Sequence, residues 1–383
     1  MPTSISCDVL IIGGGAVGTS VARGVAERGG DAMLLEAASI GNGSTAKAAG
    51  MFRSQFSTLE TAHFAARSVP VFEALERQIG IGLHQPGYLL LGGADYREKL
   101  EQAADNAERF DTPVTRYEGQ ECRNRLPTLC DDAVSFGTEV TTDGYADPYL
   151  FATAQAQAVR EAGATIHTNT PVTDLSISDG RIEAVTAGDL CIRPQTVVNA
   201  AGVWAPRICS MAGVSLPISP IRTFAVTSPV SLDDSPMVLS LDHNVYYREE
   251  PGGGSLIGGP ISGQTADPDA YDGSVSLDIL LELGERVARV DSRFVDMEIE
   301  RSWAGLKAAT PDGMPIIGAH TAVPNLITAA GYNGHGFMLS PGVGEAVSAL
   351  ALGESPFVSL SPFSPARFAD RDSQNQHTRI GLS

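Results

Sequence analysis

The sequence predicts an α/β fold. A Rossmann-like nucleotide domain is assembled from separated segments, and a mostly antiparallel sheet is inserted into it. Three observations carry this reading. Residues 7–36 spell a complete βαβ unit. Residues 164–201 break into short strands punctuated by turn signals. Residues 217–265 continue with alternating strands that no helical pattern separates.

In the βαβ unit, the apolar run Cys7 to Ile12 leads into Gly13-Gly14-Gly15-Ala16-Val17-Gly18, a Gly-x-Gly-x-x-Gly pattern. Gly13 allows the tight turn, Gly15 lets the backbone approach a pyrophosphate, and Gly18 lets the helix pack close to the strand. The helix N-terminus presents N–H groups to the phosphates. A small-residue helix follows from Thr19 to Arg28, then a strand from Asp31 to Leu35 that ends at Glu36. An acid at that point binds ribose hydroxyls and disfavours a 2′-phosphate. FAD or NAD is therefore expected rather than NADP.

The remaining elements follow in order. Gly41 to Thr45 is a polar turn that leads through small residues to Gly50. Apolar spacing predicts a helix over 58–79, a strand from Gly87 to Leu91 and a charged helix over 95–110. The turn at Asp143 to Pro148 starts a helix that runs to Gly163. Strands are expected at 164–167, 172–177, 181–186, 190–192 and 196–201, with a helix from Trp204 to Met211. In the inserted sheet, strands are expected at 224–227, 238–241, 245–248, 255–258 and 298–303, with a helix over 276–290. Pro251 to Gly254 reads as a hairpin turn. A strand from Leu326 to Ala330, a glycine-rich turn and a helix from about Pro341 to Leu352 follow. The stretch from Arg367 to Ser383 is polar and expected to be loosely held.

Composition narrows the function classes. A formal charge of −19 and a pI near 4.7 argue against nucleic-acid binding, which needs basic clusters. No run of about 18 apolar residues is present, so the chain is not expected to span a membrane. The first six residues lack the basic region of a signal peptide and read as the approach to the first strand. The cysteines Cys7, Cys122, Cys130, Cys191 and Cys209 are odd in number and form no Cys-x-x-Cys pair. A disulfide framework and a zinc site are disfavoured, and a reduced cytoplasm is the simplest compartment. The seven histidines show no ligand spacing, so no metal site is assigned.

Four stretches together resemble one family. They are Ile11 to Glu36; Gly43 to Gly50; Val197 to Ala205; and the C-terminal pair Trp303 to Gly318 with Ala330 to Met338. Their order and spacing, over roughly residues 5–355, look like the FAD-dependent D-amino-acid oxidase superfamily. The resemblance implies a Rossmann-like FAD-binding domain of the glutathione-reductase type with an inserted, mostly antiparallel β-sheet substrate domain. The expected division is 1–78, 148–216 and 304–365 for the FAD domain, 79–147 and 217–303 for the substrate domain, and 366–383 for a polar tail.

The resemblance also implies a cofactor site. It comprises Gly13, Gly15, Ala16, Val17, Gly18, Glu36 and Ala37; Gly43, Ser44, Thr45, Lys47, Ala49, Gly50 and Met51; Val172, Ala200, Ala201, Gly202 and Trp204; Gly305 and Lys307; and Gly331, Asn333, Gly334, His335, Gly336, Phe337 and Met338. In the family, the turn matching Gly331 to Gly336 lies along the flavin ring, and the helix after it faces the N1–C2=O2 edge. Several of these residues also have structural readings. Ser44 or Thr45 is also a plausible helix cap, Lys47 a solvated lysine, and Asn199 to Gly202 a site of tight helix–strand packing.

The implied activity is oxidation of a small carboxylate-bearing amine, an amino acid or an N-methylated or secondary one. A hydride equivalent passes to flavin N5, leaving an imine that water hydrolyses. An arginine clamps the substrate carboxylate in amino-acid-oxidising relatives, and the matching position here is Lys307. Arg53 and Arg222 match carboxylate arginines of other relatives, and Tyr246 matches a tyrosine that roofs the flavin. Each reads equally as a salt-bridged arginine or a half-buried strand aromatic. His335 is singled out within the flavin-edge turn. No cysteine lies near Ser302 or Trp303, where some relatives tie the flavin, so FAD is expected to be non-covalent. Leu256 stands where an oxygen-activating lysine occurs in a relative, so a dye- or quinone-type acceptor is expected over O₂. A 2-hydroxy-acid substrate with His335 as base, and a non-catalytic flavin-binding subunit, are the alternatives. Either an oligomer or a partner subunit is compatible with the family.

Overall fold

The computed structural model describes residues 3–233, 235–259 and 264–368. Two eight-stranded sheets organise the chain. The first runs Ile316–Ala319, Leu326–Ala330, Leu190–Asn199, Thr3–Ile12, Ala32–Leu35, Thr165–His167. Its centre is parallel: Thr3–Ile12 pairs with both Leu190–Asn199 and Ala32–Leu35. Arg181–Ala187 and Val172–Ser178 branch off as an antiparallel meander on Leu190–Asn199. One face carries the helices Ala16–Glu27, Pro148–Glu161 and Gly336–Ala351, packed over Val9, Ile11 and Leu34. The other face buries Leu10, Ile12, Met33 and Leu35 against Leu175, Val185 and Ile208. Two buried faces explain why these strands read as continuous apolar runs.

The second sheet runs Arg301–Ala309, Ser219–Ser228, Ser255–Gly259, Val245–Glu249, Met237–Ser240, Tyr88–Gly92, Phe136–Val140, Thr115–Glu118. Every pairing is antiparallel except Met237–Ser240 with Tyr88–Gly92. The helix Leu277–Ala288 covers one face through Leu283 and Val287, packed with Tyr247, Ile257 and Phe294. The other face turns toward the first domain. The hairpin at Pro251 to Gly254 closes through the Glu250 N–H to the Gly254 carbonyl at 3.0 Å.

Several elements depart from the sequence reading. The two strands expected at 190–192 and 196–201 are one, Leu190–Asn199. Pro194 falls between the stretch paired with Arg181–Ala187 and the stretch paired with Leu326–Ala330, where no ladder on that side calls for its missing N–H. The strand expected at 298–303 is Arg301–Ala309, because Ser219–Ser228 pairs with it along its whole length. The expected domain boundary at 303/304 therefore falls inside a strand of the second sheet. The last helix begins at Gly336 rather than Pro341. Pro341 cannot donate to the Phe337 carbonyl, but the Ser340 hydroxyl donates there instead at 2.8 Å. At the start of the polar tail, Arg367 is held by Asp312 at 2.8 Å. Residues 369–383 of that expected tail lie outside the described residues.

Candidate active site

A cavity of about 550 Å³ lies between the C-terminal edge of the first sheet and the inner face of the second. That size suits a small-molecule or cofactor site. It has a glycine-turn end, an edge that carries Glu36 and an inner end where cations gather.

At the glycine turn, Gly13 has φ 111°, and a Cβ there would lie 2.5 Å from the Ala200 carbonyl oxygen. A Cβ on Gly18 would lie 1.8 Å from the Gly13 carbonyl oxygen. Gly18 is thus the packing glycine and does not line the cavity, whereas Gly13, Gly15, Ala16 and Val17 do. No side chain caps the helix at Gly15. The Ala16 N–H is taken by Thr45 Oγ1 at 3.1 Å, which ties the 43–50 segment to this turn. Among the described residues, no side chain other than Thr45 takes a first-turn N–H of this helix, the arrangement that suits an anion. A Cβ at Gly15 would meet Thr45 Oγ1 at 3.1 Å, so the backbone itself forms the cradle. Ser44 Oγ donates to the Leu306 carbonyl at 2.7 Å, joining the loop to the second sheet. Gly43, Lys47, Ala49, Gly50 and Met51 line the same wall, with Lys47 exposed.

At the next edge, Glu36 lies beside Ala37 and Val172. Its oxygens accept the Gly14 N–H at 2.6 Å and the Ala38 N–H at 2.7 Å, which fixes the carboxylate. Glu36 makes no ion pair among the described residues. Ala200, Ala201 and Gly202 continue the floor. Asn199 holds that floor by donating to the Ala205 carbonyl at 2.9 Å. Trp204 closes over Gly43, and its Nε1 donates to Asp269 at 2.7 Å. Arg207, also on the cavity wall, pairs with the same Asp269.

The inner end is built on Gly331 to Met338. Asn333, at φ 53°, accepts the Thr310 N–H at 2.9 Å and donates to the Gly331 carbonyl at 2.8 Å. The turn is thereby locked onto the strand that carries Gly305 and Lys307. Gly334, His335, Gly336, Phe337 and Met338 form the cap and first turn of the last helix and face the cavity. The earlier helix start places His335 at the N-cap.

Arg53 is 3% exposed. Its Nε donates to the Gln55 carbonyl at 3.1 Å, its guanidinium lies 4.7 Å from the Phe56 ring, and Nη2 lies 3.4 Å from His335 Nε2. Burial holds His335 well below its ordinary range, and the charges of Arg53 and Lys307 push it further down. His335 is therefore neutral at neutral pH. Lys307, on strand Arg301–Ala309, is held below its usual range by burial and makes no ion pair among the described residues. Tyr246 lies on Gly258, where a Cβ would come within 2.3 Å of the Tyr246 hydroxyl, and burial pushes its phenol up to about 12.

Arg53, Lys307, His335 and Tyr246 thus share one cavity, but Arg222 does not. Its Nη2 donates to the Asp272 and Ser274 carbonyls at 2.9 and 2.8 Å. Arg222 pairs with Leu306 and its neighbour Ile221 with Lys307, so the pleat sends Arg222 and Lys307 to opposite faces. The sequence reading missed Tyr88 and Leu239, which line the cavity from adjoining strands. It also missed Asp143, buried behind Arg53.

A glycine cradle at a helix N-terminus, a fixed acid at the end of the next strand and a cationic inner end under a second sheet are the parts of a dinucleotide-dependent enzyme. The residues fit FAD. The chain belongs to the family of FAD dependent oxidoreductases (DAO), whose sequence model matches residues 8–350. It is 30% identical to glycine oxidase of Geobacillus kaustophilus over 94% of this chain and 97% of that protein. It is 29% identical to mitochondrial dimethylglycine dehydrogenase of Homo sapiens over 93% of this chain, which spans only 44% of that protein. Among solved structures, L-proline dehydrogenase from P. horikoshii superposes with a TM-score of 0.88 at 29% identity, covering 96% of this chain and 99% of that one. Glycine oxidase from Geobacillus kaustophilus gives 0.81 at 26%, covering 95% and 99%. The chain is an FAD-dependent oxidoreductase whose relatives act on amine donors. Among the described residues, no helix is long and apolar enough to cross a membrane.

Proposed function

We propose that this enzyme oxidises a carboxylate-bearing amine, an amino acid or an N-alkylated one, to the imine, and passes its electrons to an acceptor other than O₂. The observation that carries this reading is the convergence of Arg53 and Lys307 on His335 at the inner end of the cavity. A substrate anion in a partly dry pocket needs fixed positive charge. Arg53 and Lys307 supply it, while Tyr246, Tyr88 and Leu239 wall the rest of the substrate. Bound FAD supplies the two-electron acceptor. Holding the substrate C–H bond in a single orientation is the chain's own contribution.

The relatives support an amine donor, since glycine, dimethylglycine and proline share only an amine beside a carboxylate. A hydroxy-acid donor would ask for a base, but the Nε2 of His335 faces the Arg53 guanidinium at 3.4 Å. A proton-accepting lone pair already engaged by a guanidinium favours the amine. The acceptor assignment rests on Leu256, which is 2% exposed and carries no charge. The test is an anaerobic screen of amino acids and N-methylated amino acids that follows loss of the oxidised flavin band. Reduction by amines alone upholds the reading, and reduction by 2-hydroxy acids alone overturns it.

A further inference from the structure

Asp143 is fully buried at the end of the second sheet, in the turn between strands Phe136–Val140 and Gly144–Tyr145. Both of its carboxylate oxygens are committed to one residue. Ser54 N–H donates to Oδ2 at 3.0 Å and Ser54 Oγ donates to Oδ1 at 2.6 Å. Ser54 directly follows Arg53. The Asp143 backbone is fixed as well, since the Gly87 N–H donates to its carbonyl at 3.2 Å. Asp143 therefore anchors, from the side away from the cavity, the segment that presents Arg53 to it.

The surrounding charges leave few candidates for Asp143 to answer to. Among the described residues, Arg53 and the Tyr88 phenol are the ionisable side chains whose fields reach it. Asp147 is occupied with capping the next helix at Tyr149 and Leu150. Glu139 is bound to Arg125 and Tyr117. The His84 ring stacks on Tyr145 at 5.0 Å, and Arg248 lies over that same ring at 4.3 Å. His335 and Lys307 stand beside Arg53 on the cavity side.

We propose that Asp143 is a positioning residue for Arg53 and couples proton uptake to binding of the substrate carboxylate. The proposal rests on the reading of Arg53 as a carboxylate contact. The reasoning is electrostatic. The field of one buried guanidinium would reach two carboxylates, Asp143 held by Ser54 and one arriving. Like charges near a shared site drive one of them to take a proton. Burial pushes the Asp143 carboxyl up to about 7, against the Ser54 hydrogen bonds and the Arg53 charge that favour its ionised form. An arriving anion raises it further. The proton comes from solvent and stays on Asp143, with no bond made or broken elsewhere. Ser54 can accommodate both forms, because a hydroxyl donates to a carboxylate and accepts from a carboxylic acid.

The sign follows from linkage. Anion affinity is highest below about pH 7, where Asp143 is neutral, and falls as pH rises through that value. The experiment is titration of the FAD-loaded protein with benzoate between about pH 5.5 and pH 8.5, with calorimetry in two buffers of different protonation enthalpy. Affinity should fall roughly tenfold across that range, with net proton uptake near neutrality. Asp143→Asn should bind benzoate with a flat profile and no proton uptake. Ser54→Ala removes a hydrogen bond to the charged form and should move the midpoint to higher pH. A merely structural role would weaken binding without changing the slope or the proton count. If Asp143→Asn keeps the parent slope and uptake, or if the parent profile is flat, the proposal falls while Arg53 keeps its role. If the FAD-loaded parent binds no benzoate at any pH, the carboxylate reading of the site falls with it.

Discussion

Arg53 Nη2 lies 3.4 Å from His335 Nε2, linking the segment after strand Met51–Phe52 to the N-cap of helix Gly336–Ala351. A guanidinium only donates, so Nε2 is the acceptor and the ring proton sits on Nδ1. His335 thus steadies Arg53 without adding a charge of its own.

Replacing His335 with Asn should remove that acceptor geometry, weakening carboxylate binding by about tenfold while FAD remains bound. A second readout follows from its depressed proton affinity. A His held neutral by folding contributes stability that is present above its unfolded value, here 6.5, and lost as pH falls below it. His320 and His63 are shifted in the same direction by burial, while the raised Asp143 carboxyl works the opposite way over about pH 7 to pH 5, so the His335 contribution is read as the difference between parent and variant. His335→Asn should lose less melting temperature than the parent over the same interval. An equal loss in both proteins would show that His335 does not carry the effect.

FAD should be bound without a covalent link. Among the described residues, no cysteine lines the cavity. Acid precipitation should leave the yellow flavin in the supernatant, and flavin retained in the pellet would contradict the assignment.

Gly18→Ala tests the packing role of the third glycine. Its Cβ would lie 1.8 Å from the Gly13 carbonyl oxygen and 3.4 Å from the Ala200 Cβ, and neither is the end of a flexible side chain that could yield. Overpacking of this kind costs about 1–3 kcal/mol and displaces the phosphate turn. A lower melting temperature together with loss of flavin on gel filtration is expected. A variant that retains both would mean the turn can open.

The nucleotide half was readable because its constraints are local: a glycine spacing, an apolar run and an acid at the end of the next strand. The turn from Gly331 to Met338 was readable for the same reason, although Pro341 hid the true helix start. The substrate side was less legible because its residues meet through pairing between distant segments. Tyr88 and Leu239 become neighbours only when Met237–Ser240 adds in parallel to Tyr88–Gly92. Arg222 and Lys307 are parted by the face each occupies, which depends on a register the sequence does not state. Asp143 precedes a glycine and reads as a solvated turn. Only the folded chain shows it buried against Ser54.

The acceptor is testable by rate. Leu256 pairs with Arg248 across the second sheet and supplies no charge near the cavity. Arg248, the buried cation beside it, is committed to the Ala49 carbonyl at 2.8 Å and to Glu250 at 2.6 Å. With no charge supplied at the Leu256 position itself, turnover with a dye or quinone should exceed turnover with O₂ at equal acceptor concentration. Stopped-flow reoxidation of the reduced enzyme measures both, and comparable rates would overturn the assignment.

The last prediction separates the three basic residues. Lys307 and Arg53 line the cavity from different segments, and the fields of both reach His335. Arg222 instead holds the Asp272 and Ser274 carbonyls on the far face of its strand. A charge-assisted contact is worth about 1.5–3 kcal/mol, which corresponds to roughly ten- to a hundredfold in affinity. Lys307→Met and Arg53→Met should each weaken benzoate binding by that amount with FAD retained. Arg222→Met should leave the affinity within about twofold of the parent and lower the melting temperature, because the loop it holds loses its anchor. Lys307→Arg should preserve binding, since the charge stays on the same face and gains a second donor edge. If Arg222→Met alone abolished binding, the second sheet would have to present its other face to the substrate, and the cavity described here would not be the substrate site.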